Sequence, residues 1–305
     1  MARTCVIAQS LGGITSTGIE VEKLYHYLDS VSSESVYFIV YESAIKADNV
    51  RVLKSNNIRV PNLIKTILFI LFKWDLTHTI SQKKLKDIIT EIQPTHRFVG
   101  LSSSVDFYVP EVLNILFRYD LPKSEFKLFF FDPLPAKAHW GEHRWLRSSK
   151  SRYLSKLLHS SYQFFAASEK MSDYMTRLYG HEFSTKFLLN HIEVCFNPKI
   201  TSGLSIAYLG SIYGKRTLGC LPEVLKRSKK WELSLYGNSP IPNPKDAIIM
   251  HPFVKNIEEI SQPDVLLDLD IEVADVYVPG KSYTYLSTEI PILVISPVHS
   301  ALRDF

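Results

Sequence analysis

Short runs rich in β-branched and aromatic residues alternate along this chain with longer stretches of helical period, and that alternation limits the fold more than any other feature. Val6–Gln9, Ser35–Tyr41, Arg97–Leu101, Lys127–Asp132 and Gln163–Ala167 read as buried strands. Ile19–Asp29, Leu63–Ile92, Pro110–Arg118, His143–His159 and Glu169–Tyr179 between them read as helices. Strands apolar on both faces and linked by helices belong to parallel sheets covered on both sides. Ser168 suits a helix N-cap and Gly180 the stop that ends the same helix. The pattern breaks into the polar, turn-rich stretch Lys186–Ser202, and a second alternation then begins. Its strands are Ser205–Leu209, Trp231–Tyr236, Ala247–Met250, Val265–Leu269 and Ile292–Ile295, with helices at Leu218–Lys226, Asn256–Ile260 and Lys281–Thr288. The expected architecture is α/β, with Rossmann-like domains over residues 1–190 and 191–305.

Charge and cysteine content narrow the function classes. A formal net charge of +4, from 35 basic against 31 acidic residues, is too even for a nucleic-acid binder. Cys5, Cys195 and Cys220 lie far apart, with neither metal-ligand spacing nor a disulfide framework, which fits a reducing compartment. The N-terminus is too poor in apolar residues for a signal peptide, so a cytoplasmic location is expected. The longest apolar run, Leu63–Trp74, is interrupted by Lys65 and Lys73 and falls short of the roughly 20 residues of a spanning helix. It suits a core helix, with an amphipathic surface segment as the alternative. Arg144, Arg147, Lys150, Arg152 and Lys156 crowd together with Trp140, Trp145 and Tyr153, a mixture suited either to a solvated face or to the anionic inner face of a membrane.

Three segments stand where a strand turns into a helix. Gly12 and Gly13 follow the first strand, where bare backbone lets a phosphate or sugar approach, although the spacing is not that of a dinucleotide enzyme. Tyr208-Leu209-Gly210-Ser211-Ile212-Tyr213-Gly214-Lys215-Arg216 repeats the arrangement with two cations, which suit a diphosphate. In Val278-Pro279-Gly280-Lys281-Ser282-Tyr283-Thr284 a Pro-Gly loop opens a short helix, and the strand begun by Pro291 follows.

Pro279-Gly280-Lys281, Tyr285-Leu286 and Pro291-Ile292-Leu293, in that order, resemble the donor-domain signature of bacterial GT-B glycosyltransferases, especially those near glycosyltransferase family 4. Leu209-Gly210-Ser211, Leu235-Tyr236-Gly237 and His251-Pro252-Phe253-Val254 are similar to further segments of that domain. Phe165–Glu169 with Leu178–Gly180 resembles the end of the acceptor domain. The resemblance implies two Rossmann-like domains facing each other across a cleft, and donor contacts at Gly210, Ser211, Lys215, Arg216, Val254, Lys281, Ser282 and Thr284. Ser211 stands where that family has an arginine and Arg216 where it has a lysine, while Val276 and Thr284 stand where retaining members carry paired glutamates. The chain stops at Phe305, soon after Ile292–Ile295, so a second domain short at its C-terminus is expected.

For the acceptor side, Asp132 ends a strong strand and is the candidate general base, with His139, Glu142 and His143 close behind it and Gly12 and Gly13 on the same side. The expected activity is hexosyl transfer from a nucleoside-diphosphate sugar to a polysaccharide or lipid-linked glycan. Neither a cofactor nor a metal is expected, and Asp268-Leu269-Asp270 reads as a strand end. Two alternatives stay open: a non-catalytic partner subunit of degenerate GT-B type, and a nucleotide-sugar epimerase of the same fold.

Overall fold

In a computed structural model that describes residues 3–13, 16–31, 35–53, 69, 80–92, 97–102, 107–119, 121, 124–133, 144–186, 203–212, 217–237, 247–270, 276, 278–296 and 300–304, the chain divides into compact units Met1–Lys186 and Phe187–Phe305. The sequence pattern placed this division at 190/191.

The first unit is built on a seven-stranded sheet of order β3-β2-β1-β4-β5-β6-β7. The strands are β1 (Arg3–Leu11), β2 (Ser35–Ser43), β3 (Val50–Val52), β4 (Arg97–Ser102), β5 (Glu125–Phe130), β6 (Gln163–Ala166) and β7 (Phe183–Thr185). Every recorded pairing is parallel. Helices α1 (Ser16–Val31), α2 (Gln82–Ile92), α3 (Tyr108–Phe117), α4 (Arg144–Leu157) and α5 (Glu169–Tyr179) alternate with these strands. Cys5, Val6, Ile7 and Ala8 are buried in succession on β1, as a strand covered on both faces requires. Burial also pushes the Cys5 thiol up to about 12. In α5, Ser168 accepts the Met171 amide at 3.2 Å, and Gly180, at φ +72°, takes the left-handed conformation that ends the helix.

Several boundaries differ from the sequence pattern. The helix expected over Leu63–Ile92 is not continuous, because Ile80 forms a bridge and Ser81 starts α2 by accepting the Lys84 amide at 3.3 Å. Strand β5 stops at Phe130, which leaves Phe131 and Asp132 in a bend beyond it. The short strands β3 and β7 escaped notice because three residues are too few to show a period. Within the Leu63–Trp74 run, Phe69 is buried, stacks on Phe107 at 5.6 Å and meets Tyr153 edge-on at 5.5 Å. At that position the run is core; its other residues lie outside the described ones.

The second unit holds a five-stranded parallel sheet of order β10-β9-β8-β11-β12. Its elements are β8 (Leu204–Leu209), α6 (Leu221–Arg227), β9 (Trp231–Tyr236), β10 (Ile248–His251), a 3-10 turn at Ile257–Glu259, β11 (Val265–Leu269), α7 (Gly280–Leu286), β12 (Ile292–Ile295) and α8 (Ala301–Asp304). Ile206, Tyr208, Leu233, Leu235, Leu267 and Leu269 pack with α6 on one face. Ala207, Tyr236, Leu266, Tyr285 and Ile290 pack on the other. Outer strand β12 leaves Leu293 and Val294 each 39% exposed.

Gly100 shows how closely the first sheet is packed. A Cβ there would lie 2.7 Å from side-chain carbons of Val109 and Leu113 on α3 and 3.0 Å from Leu128 on β5. Gly100→Ala is expected to destabilise the first unit by about 1–3 kcal/mol, the usual cost of overpacking. Urea unfolding of the variant beside the parent is the measurement, and an unchanged midpoint would refute the close approach of α3 to β4.

Candidate functional site

Open parallel sheets take ligands beyond the C-terminal ends of their strands, where the strand order reverses direction. In the second sheet the reversal lies between β8 and β11. The register pairs Leu266 with Ala207, which sets Asp268 level with Leu209, the last residue of β8.

The chain leaves β8 through Gly210, whose φ of +107° is costly for any residue with a Cβ. No protein atom lies within 4 Å of where that Cβ would stand, so the glycine faces open space. On the neighbouring strand end, Gly237 packs against it, and a Cβ at 237 would lie 2.5 Å from the Gly210 carbonyl oxygen. The Gly210 amide donates to the Tyr236 carbonyl at 2.8 Å and the Gly237 amide to that of His251 at 3.3 Å. Two glycines back to back thus make a patch of bare backbone at the ends of β8 and β9. Ser211 follows Gly210 and is half-buried, while Lys215 and Arg216 lie outside the described residues. Beyond β10, Val254 packs against the apolar cluster of Tyr236, Ile257 and Tyr285, and Phe253 is exposed.

Across the reversal point stands Asp268, a carboxylate inside β11 with a side chain only 1% exposed. One of its oxygens, Oδ2, accepts the hydroxyl of Ser282. The other, Oδ1, faces the Lys281 ammonium at 3.6 Å. That ammonium also stands 3.4 Å from the centroid of the Tyr208 ring. One turn further along α7, the Tyr285 hydroxyl accepts the Leu209 amide at 2.9 Å. Burial first, and the Asp268 charge second, push the Tyr285 pKa well above its ordinary value, so the phenol stays neutral. Of the expected donor contacts on α7, Lys281 and Ser282 therefore turn inward onto Asp268, and Thr284 is half-buried. Asp270, next but one along the chain, is also buried.

In the first sheet the reversal lies between β1 and β4, and Gly12 and Gly13 stand at the end of β1. Both have positive φ, +77° and +87°. The Gly12 amide donates to Gly18 at 2.8 Å, closing the turn into α1, while Gly13 is exposed with open space about it. Glu22 on α1 reaches this turn, its Oε2 3.2 Å from where a Gly12 Cβ would stand. Asp132 belongs to the same sheet edge but lies past the end of β5, two strands from β1 and hence about 10 Å away. His139 lies outside the described residues.

Sequence reasoning missed Glu22 and the inward role of Asp268. Gly18 and Glu22 are one helical turn apart, so one face of α1 carries both, which was the signal available for the first. For the second, a carboxylate within Val-Leu-Leu-Asp-Leu demanded a buried counter-charge.

Helix α4 carries the basic and aromatic cluster. Trp145 (49% exposed), Arg152 and Lys156 share its exposed face, whereas Tyr153 turns inward and donates to Glu111 at 2.6 Å. Among the described residues no helix is long and apolar enough to cross a membrane.

No protein-family model matches the sequence, and no curated protein matches it. Solved structures do. WaaG, a glycosyltransferase involved in lipopolysaccharide biosynthesis, aligns with a TM-score of 0.60 at 11% identity over 98% of this chain and 82% of its own. The lipopolysaccharide outer core galactosyltransferase WaaB in its apo form gives 0.52 at 11% identity, over 96% and 80%. The apo structure of OtsA gives 0.52 at 9% identity, over 99% and 86%. At such low identity these likenesses speak to the fold, and the fold they give is the α/β fold with parallel sheets of the GT-B glycosyltransferases.

Proposed function

We propose that the protein is a glycosyltransferase that moves a sugar from a nucleoside-diphosphate donor to a polysaccharide or lipid-linked glycan. The observation that carries this reading is the bare-backbone patch of Gly210 and Gly237 at the reversal point of the second sheet, with Ser211 beside it and Lys215 and Arg216 following in sequence. The solved structures of like fold include glycosyltransferases of lipopolysaccharide biosynthesis, which supports the same class of acceptor. In this reading the bond between the sugar anomeric carbon and the diphosphate breaks, and one to an acceptor oxygen forms. The departing diphosphate gains negative charge, which Lys215, Arg216 and nearby backbone N–H groups offset without a metal. Asp132 takes the proton of the acceptor hydroxyl, with Gly12, Gly13 and His139 on the acceptor side. Val254 and Thr284 line the donor position.

Val276 and Thr284, standing where the resemblance places glutamates, favour a second reading, a non-catalytic partner subunit of the same fold. Incubation with UDP- and GDP-sugars separates the readings. Transfer to an added glycan supports the first, an isomerised donor would point to an epimerase, and an unchanged donor supports the second. Arg216→Ala is expected to weaken UDP or GDP binding about tenfold or more, the worth of a charge-assisted phosphate contact. Calorimetric titration reads this, and equal affinity in parent and variant would remove Arg216 from the donor site.

The acceptor class also suggests where the protein works, at the anionic inner face of a membrane, through the exposed face of α4. Each cation near such a surface contributes about 1 kcal/mol, screened over about 8–10 Å at physiological salt. Arg152→Glu with Lys156→Glu is expected to release the protein from vesicles containing anionic lipid, and salt to do the same to the parent. Cosedimentation measures both, and binding indifferent to the reversals would exclude α4 as the contact.

A further inference from the structure

We infer that Asp268 is a positioning residue of the donor site, acting through Lys281, and that Lys281 is held away from the phosphates of the nucleotide instead of touching them. The inference rests on the donor reading above.

It begins with the cost of a buried charge. Asp268 stands between Leu267 and Leu269, both fully buried, and a carboxylate there is tolerated only if its charge is met and its oxygens are bonded. Ser282 and Lys281, consecutive on α7, do both. The Lys281 ammonium in turn has Asp268 on one side at 3.6 Å and the Tyr208 ring on the other at 3.4 Å, with its side chain only 16% exposed. A cation so enclosed, and neutralised by its neighbour, offers little field to a diphosphate outside. What the pair does control is position. Asp268 fixes α7 through two successive side chains, and α7 fixes the end of β8 through the bond from the Leu209 amide to Tyr285. Leu209 is the residue before Gly210, so a continuous set of direct contacts runs from the carboxylate to the turn that the donor reading assigns to the phosphates.

The full chain, Asp268→Asn, Lys281→Met and the double variant are titrated with UDP and with GDP by calorimetry over a range of salt, with thermal unfolding on the same samples. Each single change is expected to weaken the nucleotide that the parent binds by about two- to thirtyfold, the range for residues that act on a site without touching its ligand. The double variant is expected to bind no worse than the weaker single, because removing both partners leaves no buried charge behind. The salt dependence of binding should be the same in parent and Lys281→Met. Should either single fail to fold, Ser282→Ala, which keeps the charges paired but removes one bond to Asp268, is expected to weaken the same nucleotide at least twofold. A flatter salt dependence in Lys281→Met would make Lys281 a direct phosphate contact and overturn the inference, as would parental affinity in Asp268→Asn or Ser282→Ala. A parent that takes up neither UDP nor GDP overturns the donor reading itself, and the inference with it; a parent that binds beside an unaltered Asp268→Asn sinks the positioning role alone.

Discussion

A carboxylate enclosed in a parallel sheet has to be neutralised from within the protein, and the second unit is arranged around meeting that demand at Asp268. Its partners both come from α7, so the helix cannot drift from β11 without stranding a buried charge, an outcome that costs several kcal/mol. The opposite end of the same strand pair is tied in a complementary way. Asp264 accepts the amide and the hydroxyl of Ser205 at 2.7 and 3.0 Å, and its own amide donates to the Ser205 hydroxyl at 3.1 Å. The two central strands are thus clamped at both ends by acidic residues, while the apolar middle is left to packing.

Rigidity there suits what stands next to it. Gly210 and Gly237 approach so closely that neither strand end can carry a side chain into the other, and the conformation of Gly210 excludes one on its own account. Such bare backbone is useful only if it keeps its place, because a ligand held by N–H groups gains nothing from donors that move with it. The first sheet solves a similar problem differently, with Glu22 on α1 reaching the Gly12 turn. In both sheets, then, an internal acid stands close to a glycine turn at the point where strand order reverses.

The long strands and most helices were legible because burial on both faces writes an unbroken apolar run, and helical period separates one run from the next. Ser168 and Gly180 were legible for a local reason, since cap chemistry is decided by a few neighbouring residues. What escaped was set by distance. The break before α2 depends on Ser81 capping a new helix inside a stretch whose composition is helical throughout. Lys281 looked like a ligand contact because a cation beside a Pro-Gly loop usually faces solvent; its true neighbour lies thirteen residues back, on a strand that the local pattern cannot bring to it. Asp132 was expected at the end of its strand, and it stands two residues past the end, because β5 stops at Phe130.

Strand β12 closes one side of the second sheet, and among the described residues it pairs only with β11. Leu293 and Val294, adjacent and hence on opposite faces, are both substantially exposed. A strand of this kind is a template on which another chain can add its own, and proteins commonly guard such edges by keeping them short or by placing proline there. Both devices are present, since β12 has four residues and Pro291 stands directly before it. Four residues give too few backbone bonds to hold two folded molecules together, but a partly unfolded chain exposes longer apolar runs that can extend the pairing. Aggregation of this protein is therefore a hazard of folding, greatest in concentrated refolding mixtures and least once the second sheet has closed.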